Sequence, residues 1–122
     1  MESSPEALAA VELVRKYYAA IAEHDACKML ECVSDDVEVK FLEPERNWSA
    51  KVVAAEKFSG WFERCPDVLV TWDLKEVKEL SGTDVKPECA AIELVLSADF
   101  GSGAHGMRYV VRAGLISHIE HL

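Results

Sequence analysis

The stretch "SDDVEVKFLEPE" (residues 34–45) is where the chain changes period. Val37, Val39, Phe41 and Glu43 fall on one side of an extended backbone and Glu38, Lys40 and Leu42 on the other, the alternation of a half-buried strand. Pro44 ends that strand, because proline has no N–H to give to a sheet ladder.

Upstream the spacing is helical. Ser3 or Ser4 is placed to cap a first helix, with Pro5 in its first turn and Glu6 near the positive end of its dipole. Leu8, Val11, Val14, Tyr18 and Ile21 make one apolar face, and Tyr17 lies on its edge. Asp25 caps a short second helix from Ala26 to about Val33 that carries Met29, Leu30 and Val33 toward the core. Downstream, Asn47 or Ser49 caps a third helix with Val52, Ala55, Phe58 and Phe62 on one face, and "RCPD" (64–67) stops it. The rest alternates in four strands: "DVLVTWDLKEVKEL" (67–80), "ECAAIELVLSADF" (88–100), "AHGMRYVVR" (104–112) and "GLISHIEHL" (114–122). "SGTD", "GSG" and "AG" separate them, turn chemistry that admits positive φ. Helices first and antiparallel strands after predict one α+β domain over residues 1–122, with three helices packed on one face of a curved sheet.

Charge narrows the partners. Thirteen basic against twenty-two acidic side chains leave a net charge of −9, and no basic cluster locally reverses it. Phosphate backbones and anionic lipid are repelled, so neither nucleic acid nor a membrane surface is expected as a partner. Cys27, Cys32, Cys65 and Cys89 form no CxxC pair and have no zinc-site spacing. The amino terminus has neither a basic start nor a long apolar run, which fits a cytoplasmic protein with reduced thiols. There is no GxSxG, HExxH, EF-hand or phosphate loop; "GSGAHG" joins two strands and opens no helix. No cofactor and no metal is expected.

The element order, together with "AEHDACKMLECVSDDVEV" (22–39), resembles the nuclear transport factor 2-like superfamily, and its SnoaL-like and ketosteroid isomerase-like members most. That resemblance implies a cone-shaped α+β barrel: a strongly bent, mixed and mainly antiparallel sheet, closed on one side by the three helices around an apolar pocket. It also implies a homodimer formed through the outer sheet face.

Site residues follow from the same resemblance. Members of the isomerase branch carry a general-base aspartate before a proline at the end of the first strand, where this chain has Glu43-Pro44. Glu43 is thus a candidate base at the lip of a pocket, or else a solvated residue of the acidic "EPER" loop. Tyr17, eight residues before Asp25, matches their oxyanion tyrosine. Their second donor, an acid, is replaced by Met107, so true ketosteroid isomerase activity is not expected. The matched closing hairpin puts Met107, Tyr109, Val111 and His105 on the pocket side, and with them Ile116, His118 and Glu120. His118 would then be a catalytic acid–base group beside Glu120; the alternative is a frayed terminal strand in solvent. In a strand His118 and His121 point to opposite faces, which excludes them as a metal pair. Phe41 and Phe58 complete the expected lining, and Trp48 is either packing or a lid. On the strand before, burial points Ile92, Leu94, Leu96 and Ala98 inward, whereas the resemblance would point Glu93, Val95, Ser97 and Asp99 inward.

Two functions are consistent with these features. One is a protein binding a small apolar, carbonyl-bearing, steroid- or polyketide-like ligand, with isomerase, cyclase or lyase chemistry by general acid–base catalysis. The other is a non-catalytic oligomerisation module, since "FLEPE" (41–45) is similar to a stretch in the association domain of calcium/calmodulin-dependent kinases. The discriminating feature is whether the cone is open or filled by side chains.

Overall fold

The structure is a computed structural model describing residues 5–80, 91–101 and 103–122. In chain order its elements are α1 (Pro5–Ala22), α2 (Ala26–Glu31), β1 (Val33–Lys40), a 3-10 turn (Pro44–Arg46), β2 (Trp48–Ser49), α3 (Lys51–Arg64), β3 (Thr71–Leu80), β4 (Ala91–Asp99), β5 (Ala104–Arg112) and β6 (Leu115–His121). The strands form one open, mixed sheet in the order β2-β1-β6-β5-β4-β3. β1 runs parallel to β6, and the other neighbours are antiparallel. α1 packs on β3, β4 and β6, and α3 on β1 and β2. No helix among the described residues is long and apolar enough to cross a membrane. Ser3, Ser4, the "SGTD" turn, Cys89 and Ala90 lie outside the described residues.

Several local expectations shift. α1 buries Ala7, Ala10, Val14, Tyr17, Tyr18 and Ile21, while Leu8 is 57 % exposed. The buried stripe is therefore rotated toward small residues, which let the helix approach the sheet closely. Asp25 does cap α2, accepting from the Lys28 N–H at 3.1 Å, but α2 stops at Glu31 and Val33 already belongs to β1. α3 has no side-chain cap. Ser49 pairs with Glu38 in the sheet and Asn47 Oδ1 accepts from the Phe41 N–H at 2.7 Å, so both are occupied in closing the loop after β1. On α3 the buried positions are Ala54 and Phe58, and Val52 is 81 % exposed.

The last strand is not a frayed end. β6 lies inside the sheet between β1 and β5, with Ile116 and Ile119 buried. Its alternation is broken once: Val111 pairs with Ile116, but Val110 pairs with His118. Ser117 is the extra residue of a β-bulge, and its hydroxyl donates to the Val110 carbonyl at 3.2 Å. A bulge swaps the faces of every residue beyond it. Ile116 therefore faces the core, and after the bulge so do Ile119 and His121, while His118 and Glu120 turn to the opposite face. The pocket-side placement of His118 and Glu120 is thereby corrected. On β4 the burial argument holds: Ile92, Leu94, Leu96 and Ala98 are buried, and Glu93, Val95, Ser97 and Asp99 alternate with them as half-buried residues of the other face.

Candidate functional site: an aromatic cavity with a charged mouth

Between α1, α3 and the inner sheet face lies a cavity of about 770 Å³. Its floor and walls are apolar and aromatic, with Tyr17 and Ile21 from α1, Val39 from β1, Phe58 and Trp61 from α3, Met107 and Tyr109 from β5, and Ile119 from β6. Phe41, Trp48 and Phe100 extend the lining, and Glu43, Glu45, Arg46, Asn47, Lys57, Arg64, His105 and His121 are the polar groups around it. Trp48 and Phe58 meet edge to face at 6.1 Å, as do Trp61 and Phe100 at 5.4 Å, so two ring pairs stand in the cavity wall.

Three tyrosines sit together at the base. The hydroxyls of Tyr18 and Tyr109 share a hydrogen bond of 2.6 Å, and both side chains are 1 % exposed. The Tyr17 ring lies edge-on to both, at 5.8 and 6.0 Å. Its hydroxyl has no hydrogen-bond partner among the described residues, yet no enclosed side-chain polar atom there lacks one. The Tyr17 hydroxyl therefore opens on the cavity that its ring lines. Burial, reinforced by Tyr18 and Cys32, pushes its pKa far above the ordinary 10.0, so it is a permanent donor.

At the mouth, His121 stacks on Phe41 with ring centres 4.8 Å apart. Burial lowers its pKa below 6.5, and the neighbouring His105 and Arg46 push it the same way. Its imidazole is thus mainly neutral at pH 7 and able to accept a proton. Arg46 lies over the Phe41 ring at 4.8 Å and pairs with Glu43 at 3.2 Å, both partners being about 60 % exposed at the side chain. Glu43 is at the cavity lip, as its position before Pro44 suggested, but it is held by a cation.

The remaining sequence candidates divide by face. Tyr17, Phe41, Glu43, Trp48, Phe58, His105, Met107 and Tyr109 all line the cavity. His118 and Glu120 do not; they join a charged row on the outer sheet face. There His118 Nε2 lies 3.2 Å from Glu120, and Arg108 bridges Glu120 at 3.4 Å and Glu93 at 2.7 Å. His121 is the residue sequence reasoning missed. Nothing local in "ISHIEH" reveals the bulge, because in a regular strand Ile116 would make one face apolar and Leu115 with Ile119 the other. Lys57 and Arg64 were missed because their helix face carries mixed residues. Among the described residues no cluster of three or more His, Cys, Asp or Glu side chains could hold a metal.

No protein-family model and no curated protein matches the chain. Solved structures do. A ketosteroid isomerase-like protein from Erwinia carotovora atroseptica superposes with a TM-score of 0.71 at 15 % identity, covering 98 % of this chain and 96 % of that one. A domain of unknown function with a cystatin-like fold from Nostoc punctiforme also gives 0.71, at 12 % identity over 98 % and 78 % of the two chains. A proposed polyketide cyclase from Xanthomonas campestris gives 0.53 at 18 % identity over 94 % and 90 %. The chain has the nuclear transport factor 2-like, or cystatin-like, α+β fold.

Proposed function

We propose that this protein binds a small apolar molecule bearing a carbonyl group, of steroid or polyketide type, in the aromatic cavity. The observation that carries this reading is the Tyr17 hydroxyl, which has no partner among the described residues and opens into a largely aromatic cavity of about 770 Å³, a volume typical of small-molecule sites. A carbonyl oxygen accepting from Tyr17 would satisfy that donor, and the rings would bury the rest of the ligand. An open cavity favours this over a scaffold filled by side chains.

Acid–base chemistry is the reaction class the lining supports. A base at the mouth, His121 or Glu43, would take a proton from the carbon beside the carbonyl. The electron pair would move onto the oxygen held by Tyr17, and the proton would return at another carbon. With Met107 in the cavity wall where the resembling isomerases carry their second donor, an isomerase, cyclase or lyase with modest oxyanion stabilisation is the expected kind of enzyme. Pairing of two copies through the outer sheet face belongs to the same proposal; light scattering of the purified chain tests it.

Matched ketones and hydrocarbons of polycyclic shape provide the main test, with tryptophan quenching as readout because Trp48 and Trp61 line the cavity. The ketone should bind about three- to tenfold more tightly, the worth of one hydrogen bond. Tyr17→Phe should erase that difference. Equal binding of both to the parent protein would refute the carbonyl assignment. If a substrate is found, Glu43→Gln and His121→Gln decide which group is the base, and unchanged turnover in both would refute the acid–base mechanism.

A further inference from the structure

We infer that the ligand carries an anionic group, a carboxylate, held at the cavity mouth by Lys57 and Arg64. This rests on the pocket reading above and adds the polarity of the ligand's outer end. Lys57, Trp61 and Arg64 stand at i, i+4 and i+7 on α3, one stripe of the helix, and all three line the cavity.

Neither cation is held in an ion pair among the described residues. Within the helix the positions three and four residues from Lys57 are Val53, Ala54, Gly60 and Trp61, and those before Arg64 are Gly60 and Trp61. None is acidic. Arg46, by contrast, is paired with Glu43. Gly60 completes the arrangement: a Cβ there would lie 3.2 Å from an Arg64 Nη, so the bare glycine leaves room for the guanidinium to lie back along the helix.

The charge balance gives these two side chains their meaning. The chain as a whole carries −9, whereas the cavity lining has three cations against two carboxylates. An anion is repelled by the molecule at large and meets an excess of cations over carboxylates at this mouth. An apolar body under the rings with a carboxylate reaching Lys57 and Arg64 satisfies both halves of the site, the guanidinium offering paired donors to its two oxygens.

Pyrenebutyric acid and pyrenebutanol share a ring system and chain and differ in the charged end, and energy transfer from Trp48 and Trp61 to pyrene reports binding of either. The acid should bind about tenfold more tightly at low salt, roughly two partly screened charge contacts, and the gap should narrow as salt rises. Lys57→Gln with Arg64→Gln should abolish the gap and leave the affinity for the alcohol within about twofold; both positions are exposed, so the fold is not at stake. Binding of the alcohol with no advantage for the acid, or an advantage that survives in the double variant, would overturn the anion site and leave the pocket reading intact. Failure of both probes to bind would overturn the two together.

Discussion

Replacing each tyrosine at the cavity base by phenylalanine separates a structural hydroxyl from a functional one. Tyr18 and Tyr109 bond each other at 2.6 Å and are 1 % exposed, so Tyr18→Phe keeps the ring packing and strands the Tyr109 hydroxyl. An orphaned buried hydroxyl costs about 1–3 kcal/mol. Unfolding entropy of about 2.1 cal/mol/K per residue over this chain means each kcal/mol moves Tm by about 4 °C. Tyr18→Phe should thus lower Tm by about 4–12 °C. Tyr17→Phe removes a hydroxyl with no partner among the described residues and should move stability by less than about 0.5 kcal/mol. The double variant Tyr18→Phe with Tyr109→Phe should cost less than the two singles added, because it leaves no orphan. Thermal and urea unfolding followed by tryptophan fluorescence read the three single variants and the double against the parent. A Tyr17→Phe variant as unstable as Tyr18→Phe, or strict additivity in the double, would refute the assignment of which hydroxyl is free.

Three further outcomes follow from the backbone and from His121. Burial holds the His121 pKa below 6.5, so the unfolded chain binds more protons there than the folded one. Stability should therefore fall as pH drops through 6.5 toward the folded value, and His121→Gln should flatten that slope in urea titrations between about pH 5 and 7.5. In the β5–β6 turn, Ala113 has φ 51° and Gly114 φ 78°. Ala113→Asn should stabilise by about 0.5–1 kcal/mol and Gly114→Ala destabilise by about 1 kcal/mol, since asparagine tolerates the left-handed region better than alanine and glycine best of all; thermal melts check both.

Element order was legible because it is written in local spacing. The switch of period at residues 34–45, the "AG" turn and the apolar face of β4 each depend on a few neighbouring residues, and they suffice for the α+β class; the inward placement of Tyr17, Met107 and Tyr109 came instead from the resemblance to the isomerase branch. The sheet's interior decided the rest. Where β6 is inserted between β1 and β5, one extra residue at Ser117 turns His118 and Glu120 outward and His121 inward. Strand alternation is a local rule, but a bulge is set by how a strand must meet its neighbours on both sides, which no single strand encodes. Lys57 and Arg64 are a similar case: on the helix they are ordinary exposed cations, and only the packing of α3 beside an apolar cavity makes them its mouth.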